Sequence, residues 1–140
     1  MKKIAIVYWT GTGNTEAMAN EILSACKDKA DAKLFFSDNF SKDMVDDFDR
    51  IAFGCPAMGD EELEEISFEP MFSECEEKLS GKEIALFGSY SWNDGEWMRI
   101  WEDRVNKDGA ILVNDPVIAY DYPDDKALEE CRNLAENLCK

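Results

Sequence analysis

The sequence predicts an α/β fold, a parallel β-sheet covered by helices on both faces in three layers. Two observations carry this expectation. Short, almost wholly apolar runs recur along the chain, and the segments between them place apolar residues at spacings of three and four. Strands buried on both faces read as continuous apolar runs, whereas surface helices read as stripes. Their regular alternation implies right-handed crossovers between parallel strands.

The first run is Lys3–Trp9, followed by a glycine-rich loop and a helix with Met18, Ile22 and Cys26 on one face. A weaker strand is expected at Lys33–Phe36, then a short helix at Ser41–Phe48. The third strand, Arg50–Cys55, leads to a helix facing the core through Phe68, Phe72, Cys75 and Leu79. Glu83–Gly88 is the fourth strand, and Trp97, Trp101 and Val105 mark the helix after it. The fifth is expected at Ala110–Val113, continuing past Pro116 through Val117–Ala119. A last helix starts at Pro123–Asp124 and presents Leu128, Cys131, Ala135 and Leu138. With no internal repeat, linker or low-complexity segment, residues 1–140 are expected to form one domain.

Composition narrows the function. A hydrophobic share of 45% excludes general disorder. No stretch reaches the roughly 20 apolar residues needed to span a bilayer. The start, MKKIAIVYW, places basic residues before an apolar run, as a signal peptide would. That run is short, and glycines and acidic residues follow it instead of a small-residue cleavage site, so a cytoplasmic location is expected. The 31 acidic against 15 basic residues give a net charge of −16. Such a charge repels nucleic acid and anionic membranes and attracts basic protein surfaces. The 5 cysteines contain no C-x-x-C pair and the chain has no histidine, which favours free thiols over a zinc or iron–sulfur site.

In open parallel sheets, ligands lie beyond the carboxyl ends of the strands where strand order reverses. The residues after Trp9, Cys55 and Gly88 are therefore the candidates. The first loop is Thr10-Gly11-Thr12-Gly13-Asn14-Thr15, between a strand and a helix. Its glycines allow close backbone approach to an anion, the helix start adds partial positive charge, and hydroxyls and an amide supply further donors. It lacks the lysine of a nucleoside-triphosphate loop, and Glu16 stands where a dinucleotide fingerprint needs glycine. A compact terminal monophosphate held by neutral donors fits it.

The second loop is Pro56-Ala57-Met58-Gly59-Asp60-Glu61. Met58 is polarizable and suited to a flat ring, and Gly59 permits a peptide to turn over. Glu62, Glu64 and Glu65 read as a solvated acidic face. The third loop is Gly88-Ser89-Tyr90-Ser91-Trp92-Asn93-Asp94-Gly95, with Ser89 to Asn93 as its candidate site residues. Trp92 falls off the helical stripe of Trp97 and Trp101 and is free to stack on a ligand. A phosphate cradle, an apolar slab and an aromatic slab at one sheet edge describe a planar aromatic ligand with a phosphate tail.

The blocks T-G-T-G-N-T-E, G-C-P-A-M-G-D-E and F-G-S-Y-S-W-N-D-G-E-W-M, in this order, resemble a short-chain flavodoxin of the clostridial and anaerobic-rumen type. The similarity runs over essentially the whole chain, and no long insertion interrupts the last strand near Pro116. The resemblance implies a flavodoxin-like α/β/α sandwich with a five-stranded sheet of order 2-1-3-4-5. It implies non-covalent FMN, with the 5′-phosphate in the Thr10–Thr15 loop. Met58 would pack on the inner ring face and Trp92 on the outer one. Glu61 would accept the flavin N3–H, and backbone N–H groups from Ser89 to Asn93 would meet the N1/O2 edge. Ala57, Gly59 and Asp60 belong to the same set, with the Gly59–Asp60 peptide turning its carbonyl toward N5 on reduction. The implied work is low-potential single-electron transfer between redox enzymes, by cycling between semiquinone and hydroquinone. Expected partners are oxidoreductases with basic docking surfaces that also use ferredoxin, and the expected state is a monomer with no catalytic residues and no metal. Where the family has glycines flanking the tryptophan, this chain has Ser91 and Asn93, and asparagine tolerates left-handed backbone. An FMN-dependent quinone or azo reductase of the same fold is the alternative, and it would want an open substrate pocket and a nicotinamide site. A receiver-like signalling module would need carboxylates after the first strand, where Tyr8-Trp9-Thr10 has none.

Overall fold

Strand β1 (Lys3–Tyr8) occupies the interior of the sheet in a computed structural model that describes residues 1–140. It pairs in parallel with β2 (Asp31–Phe36) on one side and β3 (Arg50–Gly54) on the other. Outside β3 lies β4 (Glu83–Tyr90), also parallel. The position beyond β4 is filled by two segments, β5 (Ile111–Leu112) and β6 (Val117–Tyr120). The order is thus β2-β1-β3-β4-β5, with β6 joining β4 further along. Leu112 pairs with Ile84 and Val117 with Phe87, so residues 113–116 bow out between the segments. Pro116 lies in that bow, where a missing N–H costs no ladder bond.

Alternation along β1 sends its side chains to both faces, as a doubly covered sheet requires. Ile4 and Ile6 pack with Met18, Ile22, Phe87 and Leu138 beneath helices α1 (Asn14–Cys26) and α4 (Asp125–Cys139). Ala5 and Val7 belong to the opposite core, with Phe53, Phe68, Phe72 and Trp101 under α2 (Phe68–Cys75) and α3 (Glu96–Lys107). The aromatics there meet edge to face: Phe53 and Phe72 at 5.0 Å, Phe68 and Trp101 at 5.6 Å. Each such buried ring stabilises the fold by about 1.5–3 kcal/mol.

Polar contacts fix the helix ends. The Asp124 carboxylate accepts the Ala127 N–H at 2.8 Å and caps α4. Arg104 on α3 bridges Glu69 on α2 and Glu76 just past its end, with its guanidinium 5.0 Å from the Phe72 ring centre. That guanidinium holds the Glu69 carboxyl below its ordinary range. No helix is long and apolar enough to cross a membrane.

Three expectations are corrected. The segment expected as a helix at Ser41–Phe48 is a 3-10 turn at Lys42–Asp47, closed by Met44 N–H to Ser41 O and Phe48 N–H to Val45 O. Only Val45 within the turn is fully buried, too little apolar surface to hold a longer helix. On α4, Leu128 is half-buried, and Ala127 and Leu134 complete the buried stripe in its place. Glu64 is not part of a solvated face: it is 6% exposed. Its carboxylate accepts N–H groups of Ile66, Ser67 and Phe68 at 2.7–2.9 Å, the orphan donors at the start of α2.

Candidate functional site

The carboxyl ends of β1, β3 and β4 bring the three loops around one cleft of about 410 Å³. The first loop supplies Gly11, Thr12 and Asn14 to its lining. A Cβ at Gly11 would lie 3.0 Å from the Trp9 indole, so the chain rests directly on that ring. Thr10 and Gly13 brace the loop from behind: the Thr10 hydroxyl accepts the Gly13 N–H at 3.0 Å. Gly13 has φ +96° and begins α1 without any side-chain cap. The first turn of α1 therefore keeps the electropositive character that suits an anion. Tyr8 donates to the Glu16 carboxylate at 3.0 Å, tying that turn to β1, and burial together with Glu16 raises the Tyr8 phenol.

Thr15 lies apart from the lining. It is 1% exposed, and its hydroxyl sits 2.8 Å from the Ser89 hydroxyl and accepts the Ser89 N–H at 3.3 Å. Ser89 in turn lines the cleft, and its carbonyl accepts the Ala57 N–H at 3.0 Å. All three loops are thus joined to one another.

From the second loop, Pro56, Ala57 and Met58 line the cleft. Beyond them the chain folds back, with Met58 and Glu62 exchanging backbone hydrogen bonds at 2.9 and 2.8 Å. Gly59, at φ +49°, and Asp60 form the exposed tip, and Glu61 has φ +63°. One Glu61 oxygen, Oε2, accepts the Trp97 N–H at 2.7 Å at the start of α3. The other, Oε1, is buried with no hydrogen-bond partner. An unpaired buried carboxylate oxygen is costly and calls for a donor.

The third loop also borders the cleft. Tyr90, Ser91 and Trp92 line it, and the Trp92 indole is 47% exposed. Met58 and Trp92 are thus an apolar and an aromatic surface of the same space. Tyr90 is held between Trp97 and Tyr120, each at 5.4 Å between ring centres. Asn93 has φ +63°, the left-handed conformation that asparagine adopts more readily than most residues. Asn93, Gly59, Asp60 and Glu61 do not line this cleft; Glu61 borders a separate hollow with Trp97, Ile100, Trp101 and Arg104.

Pro56, which the resemblance places on the ribityl side, lines the space. Trp9 had no assigned role from sequence alone: it ends the first apolar run and reads as strand, yet it borders the cleft. A large aromatic at the last position of a strand, next to a glycine loop, was the available signal for Trp9. No lysine or arginine lines the cleft, and nearby Arg99 is engaged by Asp94 at 2.9 Å. The donor set is neutral throughout. It suits a phosphate tail at the α1 end, a flat ring between Met58 and Trp92, and a ring N–H for Glu61 Oε1.

Residues 6–134 match the family model described as Flavodoxin. The chain is 45% identical to a flavodoxin of Megasphaera elsdenii over 138 residues, covering 98% of each protein. It is also 45% identical to a flavodoxin of Clostridium beijerinckii, covering 95% of this chain and 96% of that one. The solution structure of two-electron reduced Megasphaera elsdenii flavodoxin superposes with a TM-score of 0.89, covering 97% of this chain and 98% of that one. The order of the sheet, the three loops at its carboxyl edge and these matches together show that the chain belongs to the flavodoxin family.

Proposed function

We propose that residues 1–140 act as one FMN-binding domain, a low-potential carrier that passes single electrons between redox enzymes. The family is one of FMN-binding electron carriers. The observation that carries the reading is Glu61, three residues after the cleft-lining Met58: one oxygen accepts the N–H at the start of α3, and the other is buried and unpaired.

When bound, FMN supplies the one-electron chemistry, between its one-electron and two-electron reduced forms. The chain's own residues position and tune it. The Thr10–Thr15 loop takes the 5′-phosphate with backbone and side-chain donors at the start of α1. Met58 and Trp92 cover the two ring faces and exclude water. Glu61 Oε1 would accept the ring N3–H, and backbone N–H groups from Ser89 to Asn93 would meet the N1/O2 edge. Gly59 lets the Gly59–Asp60 peptide change the group it presents to N5.

Glu61 and the net charge of −16 would disfavour added negative charge at the site. That keeps the second reduction at low potential. The same acidity steers basic docking surfaces of partner oxidoreductases. We assign the chain to the cytoplasm as a monomeric carrier without catalytic residues of its own.

The test is a reductive titration of FMN-loaded protein with Trp92→Ala as control. The expected result is two resolved one-electron steps, strongly quenched flavin fluorescence in the wild type and recovered emission in the variant. Steady quinone reduction by NADH, or emission unchanged by Trp92→Ala, would overturn it.

A further inference from the structure

We propose that Cys26 and Cys139 form an oxidisable thiol pair, converted to a disulfide when a peroxide reaches the corner where α1 and α4 end. The Cys139 thiol donates to the Cys26 sulfur at 3.1 Å. A disulfide has sulfurs about 2.05 Å apart, so the pair needs to close by only about 1 Å. Cys26 is the last residue of α1 and Cys139 the last of α4.

Both ends are held. Arg50 Nη1 donates to the carbonyls of Asn137 and Leu138 at 3.2 and 3.0 Å, which secures the last turn of α4. At the end of α1, Lys29 and Ala30 both donate to the Cys26 carbonyl, with Asp28 turning the chain at φ +69°. Fixed ends keep the sulfurs together. The remaining cysteines are placed differently: Cys75 donates to the Met71 sulfur, Cys55 accepts the Glu64 N–H, and Cys131 is fully buried within α4.

Exposure assigns the roles. Cys139 is half-buried and reachable, whereas Cys26 is fully buried. The Cys139 thiolate attacks a peroxide oxygen; the O–O bond breaks, and the leaving oxygen takes a proton and departs as water. Cys139 is left as a sulfenic acid. The Cys26 sulfur then attacks the Cys139 sulfur; the S–O bond breaks, and the departing hydroxide takes the Cys26 proton as a second water. Two thiols and one peroxide become one disulfide and two waters, with two electrons passing from sulfur to oxygen. The flavin takes no part. The 13 residues of α1 separate the pair from the phosphate loop, about 20 Å of helix.

The test treats FMN-loaded protein with equimolar hydrogen peroxide, alkylates it unfolded, and maps peptides without reductant. The expected product has two fewer alkylatable thiols, a peptide linking Cys26 to Cys139 and a mass lower by two hydrogens, all restored by dithiothreitol and absent in Cys139→Ser. Its melting temperature rises by about 5 °C or more, because the bridge closes a loop of more than a hundred residues, while FMN affinity is unchanged. Oxygen added to Cys139 with Cys26 still alkylated, or a Cys139-linked dimer, would overturn the proposal.

Discussion

The hydroxyls of Thr15 and Ser89 lie 2.8 Å apart, joining the start of α1 to the end of β4 across 74 positions of sequence. With the Ala57 N–H on the Ser89 carbonyl, this contact sets the three cleft loops relative to one another from within the fold. A site whose walls are already positioned loses less conformational entropy when its ligand arrives. Loop residues therefore divide into those that hold the cleft and those that meet the ligand.

That division separates two threonines of one motif. Thr12 is exposed and lines the cleft, whereas Thr15 is buried behind it. Thr12→Val is expected to leave the melting temperature of flavin-free protein unchanged and to weaken FMN by about 1.5–3 kcal/mol, sparing riboflavin. Thr15→Val leaves the Ser89 hydroxyl without its partner and costs about 1–3 kcal/mol of stability before any flavin is added. Thermal melts of the flavin-free proteins, paired with FMN and riboflavin titrations, check both. Equal melting temperatures for the two variants would contradict the division.

Glu64 supports the second loop from below. Its carboxylate satisfies three N–H groups ahead of and within the first turn of α2, and its own N–H meets the Cys55 sulfur at 3.3 Å. Glu64→Ala exposes those donors to partial rehydration, and we expect a loss of about 3 kcal/mol, or about 10 °C in melting temperature. Glu65→Ala, one residue on and exposed, is expected to change almost nothing. A melt of the two variants decides between a buried cap and a solvated acidic face.

Glu64 also shows what the sequence conceals. The run Asp60 to Glu65 contains five acidic residues, and nothing in composition distinguishes the one that turns inward. The distinction arises from the α2 start, where Ser67, the residue at the cap position, makes no capping bond and leaves the donors to Glu64. The segment Ser41–Phe48 is ambiguous for a related reason: a few apolar residues over so few positions, Met44, Val45 and Phe48, fit a 3-10 turn as well as an α-helix. The inner strands were legible because burial on both faces leaves them almost no polar residues, whereas the edge strand β2, with no fully buried residue, gave only a weak signal. The three loops were legible because parallel topology delivers every strand's carboxyl end to one edge. Contacts between distant positions, Thr15 with Ser89 or Cys26 with Cys139, have no local pattern to betray them.

Acidity at one site should respond to pH in a defined direction. Burial, and then the neighbouring Glu76 carboxylate, push the Asp108 carboxyl up to about 6, and its Oδ2 is buried without a partner. The folded protein therefore binds an extra proton between the ordinary carboxyl range and about pH 6. Stability contributed by this group falls as pH rises through that window and stays reduced above it. Asp108→Asn removes the penalty. We expect the variant to be more stable by about 1 kcal/mol at pH 7.5, after allowing for solvent screening, with the difference vanishing near pH 4. Denaturant melts of both proteins across that range check it; a gap independent of pH would assign the effect to packing.

The tip of the second loop tests how the chain tunes its flavin. Gly59 has φ +49°, and a Cβ built there meets nothing within 4 Å. Any cost of a side chain at this position is therefore one of backbone angle and not of collision. A β-branched residue resists positive φ by about 1–3 kcal/mol, whereas asparagine tolerates it. The Met58–Glu62 hydrogen bonds clamp the turn at its base, so the strain cannot be relieved by opening the loop. If the Gly59–Asp60 peptide presents its carbonyl to N5 after the first electron, that state depends on the same turn. Gly59→Thr is then expected to make the first reduction potential more negative by roughly 40–130 mV, the electrical equivalent of that strain for one electron. Gly59→Asn should remain near the wild-type value, and both variants should bind oxidised FMN. A redox titration that gives the threonine and asparagine variants the same first potential would remove the peptide turn from the mechanism and leave Met58, Trp92 and Glu61 to set the potential alone.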